Sequence, residues 1–403
     1  MPHIFVKNVG PIAEAKVEFR KCTIFVGEQG AGKSTIAKLC SLFTWLEKGL
    51  LRHMLSLDAI TKNNRFKNKY AAYHNLDSYM SASSYIMYDG DFFVFTYENE
   101  HLFIEKKQTK QEECVAKVMY VPAERNLLSV IESSKLQSGL SAAMQTLMEE
   151  FNNAKISFAK GLDLPIGNLT FSYDRLNKVS WINGVANDGA PYKVMLKEAA
   201  SGFQSLLPLI IVSHYLSDLV IKRELGAVDY NEQKFLQQEV DKIMANGSLS
   251  ESVKNAVLRN LSSRFKYSSF VNIVEELEQN LYPQSQKKVL LDLLQINAAI
   301  NANRLVLTTH SPYLINYMIL IVKASMLNDK ITDKALQKSL YSIVPACSML
   351  KSEDLAIYEL KGGKACLLDN YDGLPSDANF LNQQMIETNE LFDELLDIEE
   401  QIK

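Results

Sequence analysis

Three short runs of apolar and polar positions open the chain: Ile4-Phe5-Val6, then, beyond a turn at Gly10-Pro11, the alternation Ala15-Lys16-Val17-Glu18-Phe19, then Cys22-Thr23-Ile24-Phe25-Val26. Each reads as β-structure, and the last, almost wholly apolar, predicts a strand buried on both faces. Residues 27–34 break the pattern, after which Ile36, Leu39, Cys40 and Phe43 recur at helical spacing to about Lys48. The order is strand, glycine loop, helix. Further on, Tyr85–Tyr88 and Phe92–Phe95 flank Asp89-Gly90, which predicts a type I′ hairpin extended by a strand from His101 to Glu105. Val118–Val121, closed by Pro122, is another apolar strand, and Leu127 to Lys160 reads as helical. Residues 164–196 return to strands, with Asn183-Gly184 and Asp188-Gly189 as turns. Helices dominate from Ser205 to about Arg264. Strands at 270–274 and 304–308 then flank a helix near Gln284–Ala298, a βαβ unit that implies a parallel sheet. In the acidic tail, Leu391, Leu395 and Ile398 predict an amphipathic helix docked on the body.

Composition narrows the class. With 403 residues and 47% hydrophobic content the chain buries a real core, in two to three domains at about 150 residues each. A net charge of −4 argues against a basic coat for nucleic acid but permits a local patch. One candidate is residues 48–69, where Lys48, Arg52, Lys62, Arg65, Lys67 and Lys69 face only Asp58; its plainer reading is a solvated face. Cys22, Cys40, Cys114, Cys347 and Cys366 make no CxxC pair, so neither a disulfide framework nor a zinc site is expected. Met1-Pro2-His3-Ile4-Phe5 shows no secretory signal pattern. The apolar windows Phe203–Ile221 and Tyr313–Leu327 carry Pro208, His214, Asp218 and Lys323, so no membrane span is expected and the cytoplasm is the expected compartment.

The chemistry begins at Gly27-Glu28-Gln29-Gly30-Ala31-Gly32-Lys33-Ser34-Thr35, which fits GxxxxGK[ST] between a buried strand and a helix. Glycines let the backbone wrap phosphate oxygens, the helix N-terminus points positive charge at them, Lys33 reaches the β and γ groups and Ser34 ligates Mg²⁺. ATP with Mg²⁺ is the expected cofactor pair. Such a loop needs a carboxylate at a neighbouring strand end for the metal and a second group for the water. Phe270-Val271-Asn272-Ile273-Val274-Glu275-Glu276 offers both: Glu275 for the metal, Glu276 for the water. Arg304–Thr309 ends in His310-Ser311-Pro312, which places His310 at the same sheet edge as a sensor of the γ-phosphate.

The order of P-loop, Ser201-Gly202-Phe203-Gln204-Ser205, acidic strand end and His310 resembles the ABC-type ATPase heads of the RecF, SMC and OLD families. Val118–Val121 with Pro122-Ala123-Glu124-Arg125 resembles the Q-loop-region strand and turn of bacterial ATPases of this group, and Tyr358–Gly363, Tyr371–Leu374 and Phe392–Leu396 resemble their ending. The resemblance implies an α/β P-loop fold of ABC type: a mixed sheet with an antiparallel β subdomain at about 80–105 and a head formed by 1–205 and 265–403, with a helical insertion at 206–264. It implies that Ser201, Gly202 and Gln204 form a signature that contacts ATP on another protomer, hence a homodimer or higher homo-oligomer. No heptad run long enough for SMC-type arms is present. After His310 no Toprim nuclease pattern follows, and no HNH-like histidine pairing occurs. Solitary heads of this kind are similar to ATPase components of bacterial anti-phage defence systems, which act with a separate nuclease or toxin.

Three positions depart from the pattern: Phe203 stands where transporters carry a second glycine, Glu275 replaces aspartate, and Leu277 replaces a proline. These departures and the β-insertion argue against a transporter ATPase. Two readings follow, an ATPase switch for an effector or DNA, and an ATP-assembled scaffold that barely hydrolyses. A RecF-like DNA-repair role is a variant of the first. It predicts salt-sensitive duplex binding that disappears when Lys62, Arg65, Lys67 and Lys69 are neutralised, read by titration at two salt concentrations; intact binding in that variant removes its motive.

Overall fold

A computed structural model describes residues 1–108, 115–130, 139–222, 230–245, 253–255, 257–258, 261 and 265–402. Cys114 lies outside them, as do 131–138 of the expected 127–160 helix and much of the 206–264 insertion beyond residue 222.

The amino-terminal blocks form β1 (His3–Val9), β2 (Ile12–Glu18) and β3 (Cys22–Gly27). Helix α1 (Lys33–Leu51) follows the glycine loop, and a short α2 (Leu57–Thr61) leads to β4 (Met80–Asp89), β5 (Phe93–Glu98), β6 (His101–Lys106) and β7 (Ala116–Val121). Then come α3 (Leu127–Val130), α4 (Ala142–Ser157), β8 (Leu162–Asp163), β9 (Thr170–Asp174), β10 (Val179–Val185) and β11 (Pro191–Met195). The second half holds α5 (Ser201–Lys222), α6 (Tyr230–Ala245), β12 (Ser269–Val274), α7 (Pro283–Ala298), β13 (Arg304–Thr309), α8 (Pro312–Asn328) and α9 (Lys334–Ile343). It ends in β14 (Leu355–Lys361), β15 (Lys364–Leu367), the hairpin β16 (Asn370–Tyr371) and β17 (Leu374–Pro375), and α10 (Phe380–Ile402).

An 11-stranded sheet runs β6-β5-β4-β1-β2-β15-β14-β3-β13-β12-β7. Its half from β14 to β7 is parallel throughout. There β3 and β12 are buried at every residue, because helices cover both faces of a parallel block. The strands β1, β2, β4, β5 and β6 pair antiparallel, so the expected β subdomain at 80–105 continues the main sheet through β1. An aromatic cluster ties it to α1, with the Phe43 ring 5.1 Å from Tyr88 and 5.4 Å from Phe95. Strands β8–β11 make a separate four-stranded sheet.

Two expected turns take other forms. At Asp89-Gly90 neither residue has positive φ; Asp89 still pairs with Val94, and the Glu47 carboxylate holds the connection by accepting from the Phe92 and Phe93 amides at 2.7 and 2.9 Å. Asn183-Gly184 lies inside β10, where the Asn183 amide donates to Thr170 O and Ser172 Oγ of β9 and the bare Gly184 leaves room for Leu169 and Tyr192. Asp188-Gly189 is a turn as expected, with Gly189 at φ 84°.

Helix α5 is long and apolar enough to cross a membrane by length and composition, the only such helix among the described residues, yet it is mostly buried here. It packs on β12, α4 and α7. Asn272, an unusual residue in an apolar strand, donates to Ser213 Oγ at 2.9 Å and so pins α5 to β12. Residues 206–222 are therefore a core helix. The tail is helical as expected but not docked, since Leu391, Phe392, Leu395 and Ile398 are all at least half exposed.

The basic run at 48–69 is divided by the fold. Lys62 pairs with Asp58 and Lys67 with Glu100, whereas Lys48 and Arg52 turn inward at the end of α1. There they meet Glu232 of α6 at 2.6 and 2.8 Å, beside the Tyr267 hydroxyl at 2.7 Å. Burial alone raises the Glu232 pKa, but Lys48, Arg52 and Lys117 overcome it and hold the carboxyl down to about 2. A depressed carboxyl contributes stability above its unfolded value and loses it as the pH falls from there toward 2. Glu232→Gln is expected to cost roughly 3–5 kcal/mol at neutral pH, because two buried cations lose their partner, and to flatten the acid limb of a melting-temperature profile against pH.

Candidate functional site

Parallel strands deliver their carboxyl ends to one edge, and the order β14-β3-β13-β12-β7 places the loop strand β3 between its two parallel neighbours there. At that edge the loop begins with Gly27 at φ 145° and passes Gly32 at φ 101°. A Cβ on Gly27 would overlap the Leu360 carbonyl of β14, and one on Gly32 would come within 2.8 Å of Ile12. Glu28, Gln29 and Gly30 form an exposed rim, Ala31 and Ser34 are half-buried, and Thr35 is buried in the first turn of α1. The Lys33 ammonium is folded into the loop, donating to Gly27 O at 2.9 Å and Glu28 O at 2.8 Å. Burial lowers its pKa, against the opposing pull of Glu276, Glu278 and Glu275.

Those acids stand at the end of β12, one strand beyond β13. The Glu275 amide donates to Val121 O, prolonging the β12–β7 ladder, and its side chain is buried with Oε1 lacking any hydrogen-bond partner. The Tyr120 hydroxyl faces this carboxylate without a well-formed hydrogen bond; burial first, and the Glu275 charge second, push the phenol well above its ordinary pKa. The chain then turns sharply at Glu276, whose φ is 44°. The Glu276 carboxylate is 40% exposed and its Oε1 lies 4.0 Å from His310 Nε2. Burial and the Lys33 charge lower the His310 pKa, opposed by Glu278, Glu276 and a hydrogen bond to the Gly27 backbone. The expected loop, Glu275, Glu276 and His310 thus share one edge.

Two residues that sequence reasoning gave no role hold this edge together. Glu278 accepts from the Thr309 hydroxyl at 2.8 Å and from the His310 amide, which fixes the turn carrying His310. Arg125 is buried and donates to Ser205 O, Pro122 O, Glu275 O and Glu276 O at 3.0, 3.3, 2.7 and 2.7 Å. The Pro122–Arg125 turn gave Arg125 no role of its own, and no local pattern marks Glu278, since most of their partners lie in segments distant in sequence.

Ser201, Gly202 and Gln204 lie apart from this chain's own loop. They form the first turn of α5, with Ser201 exposed, Gly202 packed closely on Asn280 O and the Gln204 amide donating to Lys197 O at 2.9 Å. Among the described residues no hydrogen bond joins them to residues 27–35.

Residues 263–316, which span β12, α7, β13 and His310, match the protein family described as "AAA domain, putative AbiEii toxin, Type IV TA system". No curated protein matches the chain in sequence. Among solved structures, the SMC head domain from Thermotoga maritima aligns over 92% of this chain and 98% of its own at 9% identity and TM-score 0.31. The Smc head domain with an extended coiled coil bound to the C-terminal domain of ScpA, derived from Pyrococcus furiosus, aligns over 97% and 100% at 10% identity and TM-score 0.38. The recombination mediator RecF with an ATP analogue aligns over 91% and 97% at 10% identity and TM-score 0.31. The chain's own strand order, with β13 between the loop strand and the acidic strand, and its glycine loop define an α/β P-loop fold of the ABC-ATPase type.

Arg125→Ala removes four hydrogen bonds that join three segments, Glu276 O keeping a second donor in the Gln279 amide, and is expected to lower unfolding stability by roughly 3–5 kcal/mol in denaturant titration, with Arg125→Lys intermediate.

Proposed function

We propose that this protein hydrolyses ATP to ADP and phosphate and uses the cycle to open and close a homodimer that controls a partner. One observation carries the reading: the glycine loop, a buried carboxylate oxygen with no partner at Glu275, an accessible Glu276 and His310 meet at a single sheet edge. The triphosphate occupies the loop made by Gly27, Gln29, Gly30, Ala31, Gly32, Lys33, Ser34 and Thr35. Lys33 exchanges its two loop carbonyls for phosphate oxygens, a favourable trade because its charge is only partly compensated now.

The donor set fits a divalent cation, a hydroxyl from Ser34 and the orphaned oxygen of Glu275. A bound Mg²⁺ supplies charge neutralisation on the phosphate oxygens. Glu276 takes the proton of the water that attacks the γ-phosphorus, and His310 donates a hydrogen bond to the γ-phosphate as charge builds on it. The exposed start of α5 supports a role for Ser201, Gly202 and Gln204 across a dimer interface. We propose residues 1–205 and 265–403 as the head, with α5 joining it and the rest of 206–264 inserted. The matched family's description as a toxin of a toxin–antitoxin system supports a setting in bacterial defence, with a nuclease or toxin as effector. The pairing of Lys62 and Lys67 with acids weakens the DNA reading.

Phosphate release and mass photometry with and without ATP and Mg²⁺ test this. Lys33→Ala is expected to abolish both turnover and ATP-dependent dimers, and Glu276→Gln to keep the dimers while turnover falls by about 10²–10⁴. Dimers and cellular output unchanged by Glu276→Gln, with negligible wild-type turnover, would establish the scaffold instead.

A further inference from the structure

Two buried polar atoms face each other where β7 and β12 end, and among the described residues neither is hydrogen-bonded: the Tyr120 hydroxyl and Glu275 Oε1. Their residues are 5% and 6% exposed. One atom is a donor and the other an acceptor, so each is the other's natural complement. The parallel register explains why they meet. Tyr120 pairs with Ile273, and the Glu275 amide continues the ladder onto Val121 O, so Glu275, two positions beyond Ile273, stands on the same sheet face as Tyr120. Asn272 points to the opposite face, where it bonds Ser213 of α5.

The Tyr120 ring is held from behind. His74, buried in the turn Ala71–His74, sets its ring 4.8 Å from the Tyr120 ring at 70°, and its Nε2 lies 3.1 Å from Ser41 Oγ of α1. This edge-on contact ties the phenol to the helix that begins at the nucleotide loop. Of the two acids whose charge reaches the phenol, Glu275 acts the more strongly, and the other, Glu124, is exposed. A phenylalanine at 120 would fill the same space without an unpaired oxygen, and a buried hydroxyl that makes no bond costs stability.

We infer that Tyr120 positions Glu275 for the divalent cation: in the loaded site its hydroxyl donates to the Glu275 carboxylate and holds it in one orientation. The inference rests on the reading of Glu275 as a metal ligand given above. A glutamate has one more rotatable bond than the aspartate it replaces, and fixing that bond costs conformational entropy that a second contact offsets. A carboxylate has about four acceptor sites, so a phenol and a metal are served together. Tyr120 touches neither nucleotide nor water and acts only through Glu275.

The test titrates Mn²⁺ into the full chain carrying one equivalent of ADP, with free Mn²⁺ read by paramagnetic resonance. Tyr120→Phe is expected to raise the Mn²⁺ dissociation constant about tenfold, as for loss of a hydrogen bond behind a metal ligand. ADP affinity in EDTA is expected to stay within about twofold, because the loop itself is untouched. The variant loses only an unpaired hydroxyl, so its melting temperature without metal is expected to stay level or rise. Glu275→Gln is expected to weaken Mn²⁺ at least as much, and Tyr120→Phe added to it to cause no further loss. Mn²⁺ affinity indifferent to Glu275→Gln would overturn the metal-ligand reading itself. Wild-type Mn²⁺ affinity in Tyr120→Phe beside a weakened Glu275→Gln would overturn this inference alone, and so would additive losses in the double variant. A Tyr120→Phe chain that melts lower with Mn²⁺ affinity unaltered would make the hydroxyl a structural group instead.

Discussion

Arg125 is the contact on which the nucleotide edge depends. Among the described residues its guanidinium has no carboxylate partner and donates only to main-chain oxygens of three separate segments: the turn after β7, the start of α5 and the residues that follow β12. Burying a cation this way carries a large desolvation cost, visible in a pKa lowered by burial to about 10 despite four acids in the vicinity. Four hydrogen bonds to main-chain carbonyls offset part of that cost and join the end of β12 to the turn after β7 and to α5. Arg125 also steadies Glu276, whose left-handed backbone an ordinary side chain adopts only under tertiary constraint.

Around that anchor the charges are arranged in opposition. Glu275, Glu276 and Glu278 all act on Lys33, which answers with bonds to its own loop, and the loop must then admit a polyanion. At its far end α1 is tied again, by Lys48 and Arg52 to Glu232 of α6. The helix that begins at the nucleotide loop is therefore held at both ends, one end by glycine geometry and the other by a buried ion cluster.

Much of this was legible from the chain itself wherever the signal was local. An all-apolar strand, a glycine loop with required φ angles and a helical repeat fall within consecutive residues, so β3, the loop and α1 could be read directly. The βαβ unit from β12 to β13 was equally plain, because parallel buried strands leave continuous apolar runs. Dipeptide turn rules fared worse: Asn183-Gly184 became the interior of a strand through a cross-strand amide bond, and the Asp89-Gly90 connection was reshaped by the distant Glu47.

The sequence by itself determined the class of fold, the phosphate-binding loop and the chemical types available at the strand ends. Only the tertiary structure decided which of those groups meet. Local propensities extend over a turn or two, whereas the sheet edge is assembled from residues 27–35, 120–125, 275–278 and 309–310, and most of the bonds between them run to backbone atoms that carry no residue identity. Tertiary structure likewise made Lys48 and Arg52 interior residues within an apparently solvated basic run, and left the stripe of α10 exposed when its periodicity pointed to burial. Periodicity states that a face is apolar; what covers that face depends on the shape of everything around it.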